Sequence, residues 1–123
     1  MVDFLLEPER FPRIGIELVA NSATLRAPHL IDLEVVHALR GMVMRHRLLP
    51  GRAAAAISDF LAVPIERYPH EPLLFRAWEL RDNLSAYDAS YVALAEFLDV
   101  PLLTRDARLA RSSGHTARIE YID

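Results

Sequence analysis

Three acidic residues of this chain, Glu34, Asp88 and Asp106, stand in apolar surroundings unusual for solvated carboxylates. Asp88 shares a helical stripe with Tyr91, Val92 and Ala95, in a segment apolar nearly all round, the pattern of a buried helix. Glu34 flanks the apolar stripe of Leu30-Ile31-Asp32-Leu33-Glu34-Val35-Val36, and Asp106 follows the buried strand pattern Leu102-Leu103. Each acid also has a plainer role. Ser85-Ala86-Tyr87-Asp88 fits a capping box, Glu34 an acid in an early helical turn, and Asp106 an N-cap. Were all three to converge, they would repel one another and be costly to bury unless a cation neutralised them. Oxygen ligands without His or Cys select Mg²⁺ or Mn²⁺, ions that keep waters and bind substrate phosphates. The chemistry that follows is metal-assisted phosphodiester hydrolysis. Spacing alone does not show that the three acids meet.

The elements that must position them are punctuated by eight prolines. Val2 to Leu6 reads as the tail of a helix ended by Glu7-Pro8, and residues 12–19 as a second, short helix. Thr24 to Ala27 is a short strand closed by Pro28. From Leu30 to His46, Ile31, Val35, Ala38, Leu39 and Met42 recur at helical spacing. Pro50 opens a helix to Leu61, Val63-Pro64-Ile65 is strand-like, and Pro72 begins a helix carrying Leu73, Leu74, Ala77, Trp78 and Leu80. Ser85 caps a helix from Ala86 to Leu98. Pro101-Leu102-Leu103 is a buried strand, Ala107 to Arg111 a short helix and Arg118 to Ile122 a last strand. Helices alternating with brief apolar strands imply an α/β domain with a mainly parallel sheet. Sites in such sheets form beyond the carboxyl ends of the strands, which directs attention to the residues after Leu103.

Composition narrows the class. A chain of 123 residues, 52% hydrophobic and 25% charged, is expected to form one domain over residues 1–123. Without cysteine it has no disulfide and no thiolate nucleophile or ligand. No apolar run is long enough to cross a bilayer and the N-terminus lacks a basic leader, so a cytoplasmic protein without a membrane role is expected. Net charge is −3, and all 14 basic residues are arginine. The five histidines lie in separate segments without zinc spacing. Tyr87, Tyr91 and Trp78 read as core or interface aromatics. Arg105, Arg108 and Arg111 flank Asp106 and are placed to touch phosphates or to form a solvated basic face.

Three segments resemble a known family. Ala27-Pro28-His29-Leu30-Ile31-Asp32-Leu33-Glu34-Val35 is similar to the second acidic motif of PIN-domain toxins of the VapC type. Leu84-Ser85-Ala86-Tyr87-Asp88-Ala89-Ser90-Tyr91-Val92-Ala93-Leu94-Ala95 is similar to their third, and Pro101-Leu102-Leu103-Thr104-Arg105-Asp106-Ala107-Arg108-Leu109 to their fourth. The resemblance implies a PIN fold and an endoribonuclease toxin dependent on Mg²⁺ or Mn²⁺. It implies an RNA substrate, a cognate VapB-like antitoxin and a homodimer. Carried over by motif, Glu34, Asp88 and Asp106 would be catalytic acids that bind the metal. Thr104 and Arg105 would position a water or a phosphate, although Thr104 also reads as a helix cap.

The resemblance departs at the start. Family members open with a central strand ending in a catalytic aspartate, whereas residues 1–6 here align with the helix that follows it. An N-terminally truncated domain lacking its central strand is therefore expected, with Asp3 an ordinary helix residue. The alternative function is a catalytically inactive PIN remnant that binds an antitoxin without cleaving RNA.

Overall fold

The computed structural model describes residues 3–6 and 24–122. Its frame is a wholly parallel five-stranded sheet: β1 Asp3–Leu6, β2 Thr24–Pro28, β3 Ile65–Tyr68, β4 Leu102–Thr104 and β5 Ile119–Tyr121, in the order β3-β2-β1-β4-β5. Among the described residues the helices are α1 Leu30–Met44, α2 Pro50–Ala62, α3 Leu74–Glu79, α4 Ala86–Leu98 and α5 Ala107–Ala110, with a 3₁₀ turn at Glu71–Leu73. The α/β class with a parallel sheet is as expected.

The N-terminal reading is corrected. Asp3–Leu6 is not a helix tail but the central strand, with Asp3 opposite Thr24 and Leu5 opposite both Arg26 and Leu102. The place in the sheet for which no strand was expected is thus filled. Phe4-Leu5-Leu6 is a short apolar run, which periodicity cannot assign to helix or strand. Between β2 and β4 it finds backbone partners on both sides, as a central parallel strand requires. The helix expected at residues 12–19 lies outside the described residues.

The other shifts are small and have local causes. The strand expected at Val63-Pro64-Ile65 begins instead at Ile65 and runs to Tyr68. Pro64 has no N–H to give to the ladder, so pairing starts after it, with Ile65 opposite Leu25. The helix expected from Pro72 opens as the 3₁₀ turn and becomes α-helical only at Leu74.

Helix α4 is the spine of the core. Ala89, Ser90, Tyr91, Val92, Ala93, Leu94 and Ala95 are all buried, and they pack with Ile31, Val35, Phe60, Leu80 and Leu102. Each large aliphatic side chain buried there contributes about 1.5–3 kcal/mol relative to exposure. Trp78 is not part of this core. It is exposed, with the Arg81 guanidinium stacked 4.4 Å from its ring centroid.

Two tertiary contacts fix the helices that carry acids. His29 supplies no side-chain cap for α1, and the Leu30 N–H instead donates to Nε2 of His70, 2.9 Å away. On α4, Glu96 accepts two hydrogen bonds from Arg76, at 2.8 and 2.9 Å, and two more from the Thr116 amide and hydroxyl. That carboxylate joins α3, α4 and the segment leading to β5.

Candidate active site

The strand order turns back on itself at β1, and in open parallel sheets the crevice for ligands lies there, outside the carboxyl ends. Chain direction brings the three expected acids toward that end by different routes. Glu34 is in the second turn of α1, just after β2; Asp88 is in the first turn of α4; Asp106 is in the turn after β4.

Asp88 is half-buried, and the amide of the same residue donates to Ser85 Oγ, 3.1 Å away. Burial first, and then the nearby charge of Asp106, hold its carboxyl above the ordinary aspartate range. The Ser85 hydroxyl and the charge of Arg108 oppose that shift without cancelling it. The Ser85 half of the capping box expected from sequence is present. It explains the helix start, but not why a second carboxylate faces the first.

Asp106 is the N-cap of α5, its Oδ1 accepting the amides of Arg108 at 2.9 Å and Leu109 at 3.4 Å. Thr104 sits behind it. The residue is fully buried, and its Oγ1 accepts the Asp106 amide at 3.0 Å. From there it fixes the turn that presents Asp106, the capping role that the residue pattern also offered for it. Arg105 is exposed and does not line the cleft beside the acids.

That cleft is open, about 430 Å³, and is lined by Asp88 and Asp106 together with Ser85, Arg108 and Arg111. Glu34 is not in its lining. Its Oε1 accepts a 2.6 Å hydrogen bond from the hydroxyl of Tyr91, a buried residue one turn along α4 from Asp88. The structure therefore places Asp88 and Asp106 on one cleft and ties Glu34 to the same helix face through Tyr91. Among the described residues no three acids or histidines draw close enough to form a ready-made metal cluster. Asp32, two residues before Glu34, turns away and pairs with Arg67 at 2.8 Å.

Tyr91 is the functional candidate that the residue pattern hid. Its spacing of three from Asp88 places it on the same face, but a buried tyrosine in an apolar helix reads first as core. The signal is its hydroxyl, which in a buried position needs a partner.

Comparison with known proteins decides the family: the model of the PIN domain matches residues 1–114. The chain belongs to the PIN-domain family. This PIN domain is 42% identical over 99 residues to Ribonuclease VapC12 of Mycobacterium tuberculosis, covering 80% of the chain and 77% of the relative. It is 47% identical over 97 residues to Ribonuclease VapC1 of the same organism, covering 78% and 73%. Its fold is similar to a chain in the crystal structure of VapBC2 from Rickettsia felis bound to a DNA fragment from their promoter. That match has a TM-score of 0.70 at 14% identity and covers 99% of this chain and 100% of that one. Glu34, Asp88 and Asp106 all lie within the PIN match. No helix among the described residues of the PIN domain is long and apolar enough to cross a membrane.

Proposed function

We propose that this PIN domain is an endoribonuclease toxin of a toxin–antitoxin pair, hydrolysing RNA phosphodiesters with the help of Mg²⁺ or Mn²⁺. The observation that carries the reading is the pairing of Asp88 and Asp106 on one open cleft at the carboxyl ends of the strands, with Arg108 and Arg111 beside them. The relatives named VapC ribonucleases, at 42% and 47% identity, support the same activity.

The donor set fits a hard divalent ion. Burial first, and then the charge of Asp106, raise the Asp88 carboxyl, and neutralisation by a cation is the ordinary relief for such carboxylates. Asp88, Asp106 and Glu34 would hold the ion, with Tyr91 keeping Glu34 on the α4 face. When bound, the ion supplies Lewis-acid stabilisation of the charge that builds on the phosphodiester during in-line displacement. Arg108 and Arg111 are placed to orient the phosphate, and Thr104 holds the turn of Asp106 from behind. A VapB-like antitoxin and a second copy of the chain are the proposed protein partners, and the cytoplasm the proposed compartment.

The direct test is cleavage of a mixed RNA by the purified chain with Mg²⁺, beside an EDTA control. Metal-dependent cleavage is expected. Binding of an antitoxin without any cleavage would replace this reading with that of an inactive PIN remnant.

Tyr91→Phe removes a single hydroxyl and leaves the ring in the core. Loss of an outer hydrogen bond to a metal-holding group typically costs 10–100-fold, so a drop of about 10-fold in Mn²⁺ affinity is expected. Titration of Mn²⁺ followed by electron paramagnetic resonance reads this without RNA. In a Glu34→Gln background the same substitution should change affinity by less than about 2-fold, because the partner is already altered.

A further inference from the structure

We infer that the tip of the α1–α2 hairpin is a second RNA-binding surface, one that grips the sugar-phosphate backbone of the substrate away from the acidic cleft. The inference rests on the ribonuclease reading and specifies where a long RNA is held.

The basis is charge segregation. Between Glu34 and Asp59 the chain contains no acid at all, yet it carries Arg40, Arg45, Arg47 and Arg52. This stretch of +4 belongs to a chain of net −3, so the remainder carries −7. All four arginines are exposed. The ion pairs among the described residues involve Arg26, Arg67, Arg76, Arg108 and Arg118, and none of these four.

Geometry concentrates the charge. Arg40 lies on the last third of α1, and Arg45 is its C-cap. His46, at φ 57°, is in the left-handed region and turns the chain, so Arg47 follows at once. Arg52 stands in the first turn of α2, the positive end of the helix dipole, where no acid accompanies it. A cation there is disfavoured by the dipole, and among the described residues no ion pair offsets the cost. An external anion would supply one. One of the four, Arg47, lines a surface concavity of about 520 Å³ together with Val43, Met44, His46, Leu49 and Pro50.

The partner class follows from arginine chemistry and from distance. Guanidinium groups fork onto phosphate oxygens, and sequence-independent contacts of this kind hold and position nucleic acid. Glu34, held by Tyr91 against the helix that carries Asp88, begins a stretch of α1 that ends at the C-cap Arg45, a separation of roughly 16 Å of helical rise. A strand rises about 3.4 Å per nucleotide, so a dinucleotide in the cleft falls short of the tip while a twenty-nucleotide RNA reaches it.

The test compares the intact chain with the Arg45→Gln/Arg47→Gln/Arg52→Gln variant and with the same three positions changed to Lys. Binding of a twenty-nucleotide RNA is measured by fluorescence anisotropy across a salt series, in an Asp88→Asn background that prevents cleavage. Mg²⁺-dependent cleavage of a dinucleotide and of the long RNA is measured with Asp88 intact. Loss of three phosphate contacts should lower the slope of log affinity against log salt by about 2, at ~0.7 per contact on single strands. The glutamine variant should bind the long RNA at least about 10-fold more weakly, cleave the dinucleotide within about 2-fold of the parent, and keep its melting temperature. The lysine variant should retain most of the affinity. An unchanged slope overturns the inference, as does an equal loss on both substrates. Loss of binding to polyglutamate with RNA binding intact overturns it in favour of an acidic protein partner. A parent chain that cleaves neither substrate and binds no RNA removes the ribonuclease reading itself.

Discussion

Asp88→Asn is expected to reduce Mg²⁺-dependent RNA cleavage by at least ~10²-fold while leaving the melting temperature unchanged or slightly raised. Both halves of that result come from the same surroundings. Burial and the charge of Asp106 hold the Asp88 carboxyl above its ordinary range, so its ionised form is destabilised in the folded chain. Asparagine keeps the size and removes the repulsion. The helix start survives, because the cap is the Ser85 hydroxyl accepting the backbone amide of residue 88. A residue that matters only for structure behaves the other way, losing stability and activity together. Thermal melts beside initial rates separate the two. A melting temperature lowered by several degrees, with activity falling only in proportion to the unfolded fraction, would reduce Asp88 to a capping residue.

The largest effect on stability is expected at Glu96. Its carboxyl is held at about 2, first by the hydrogen bonds from Arg76, with the Thr116 amide and hydroxyl adding to the shift. The Glu96 side chain is only 12% exposed, and that of Arg76 35%. A depression of this size from the ordinary 4.5 corresponds to about 2–3 kcal/mol once partial solvation of Arg76 is allowed for. The folded-state value lies below the unfolded one, so the contribution is complete above about pH 5 and is lost as pH falls toward 2. Glu96→Gln should therefore lower the melting temperature at pH 7 by on the order of 10 °C. The gap between variant and parent should close progressively between pH 5 and pH 2. A gap that stays constant over that range would mean the loss comes from packing and not from the ionised carboxylate. The same carboxylate fixes α4 from its C-terminal half, whereas Asp88 and Tyr91 work from the N-terminal half.

Much of this architecture is legible in the residues themselves. Ser85 and Asp88 mark the start of α4, and its unbroken apolar composition marks it as buried. Pro50 opens α2, and the Leu102-Leu103 pair announces a strand with an acid just beyond it. Those signals are local, set by capping, by proline geometry and by hydrophobic period, and so they survive without knowledge of the fold. The PIN family was legible for a related reason: three acidic motifs recur in order, with the helices between them.

Tertiary structure alone decided the rest. Residues 3–6 are too few to show a period, and only the two neighbouring strands make them β1. The sharing of one cleft by Asp88 and Asp106 depends on α4 starting and β4 ending at the same end of the sheet, which brings together residues far apart in the chain. The roles of Tyr91, His70 and Thr104 depend on which polar atom each group meets: Glu34, the Leu30 amide and the Asp106 amide. Sequence states that these groups must be satisfied once buried. It is packing that names the partner, because hydrogen bonds between distant segments are specified by the whole fold and leave no periodicity along the chain.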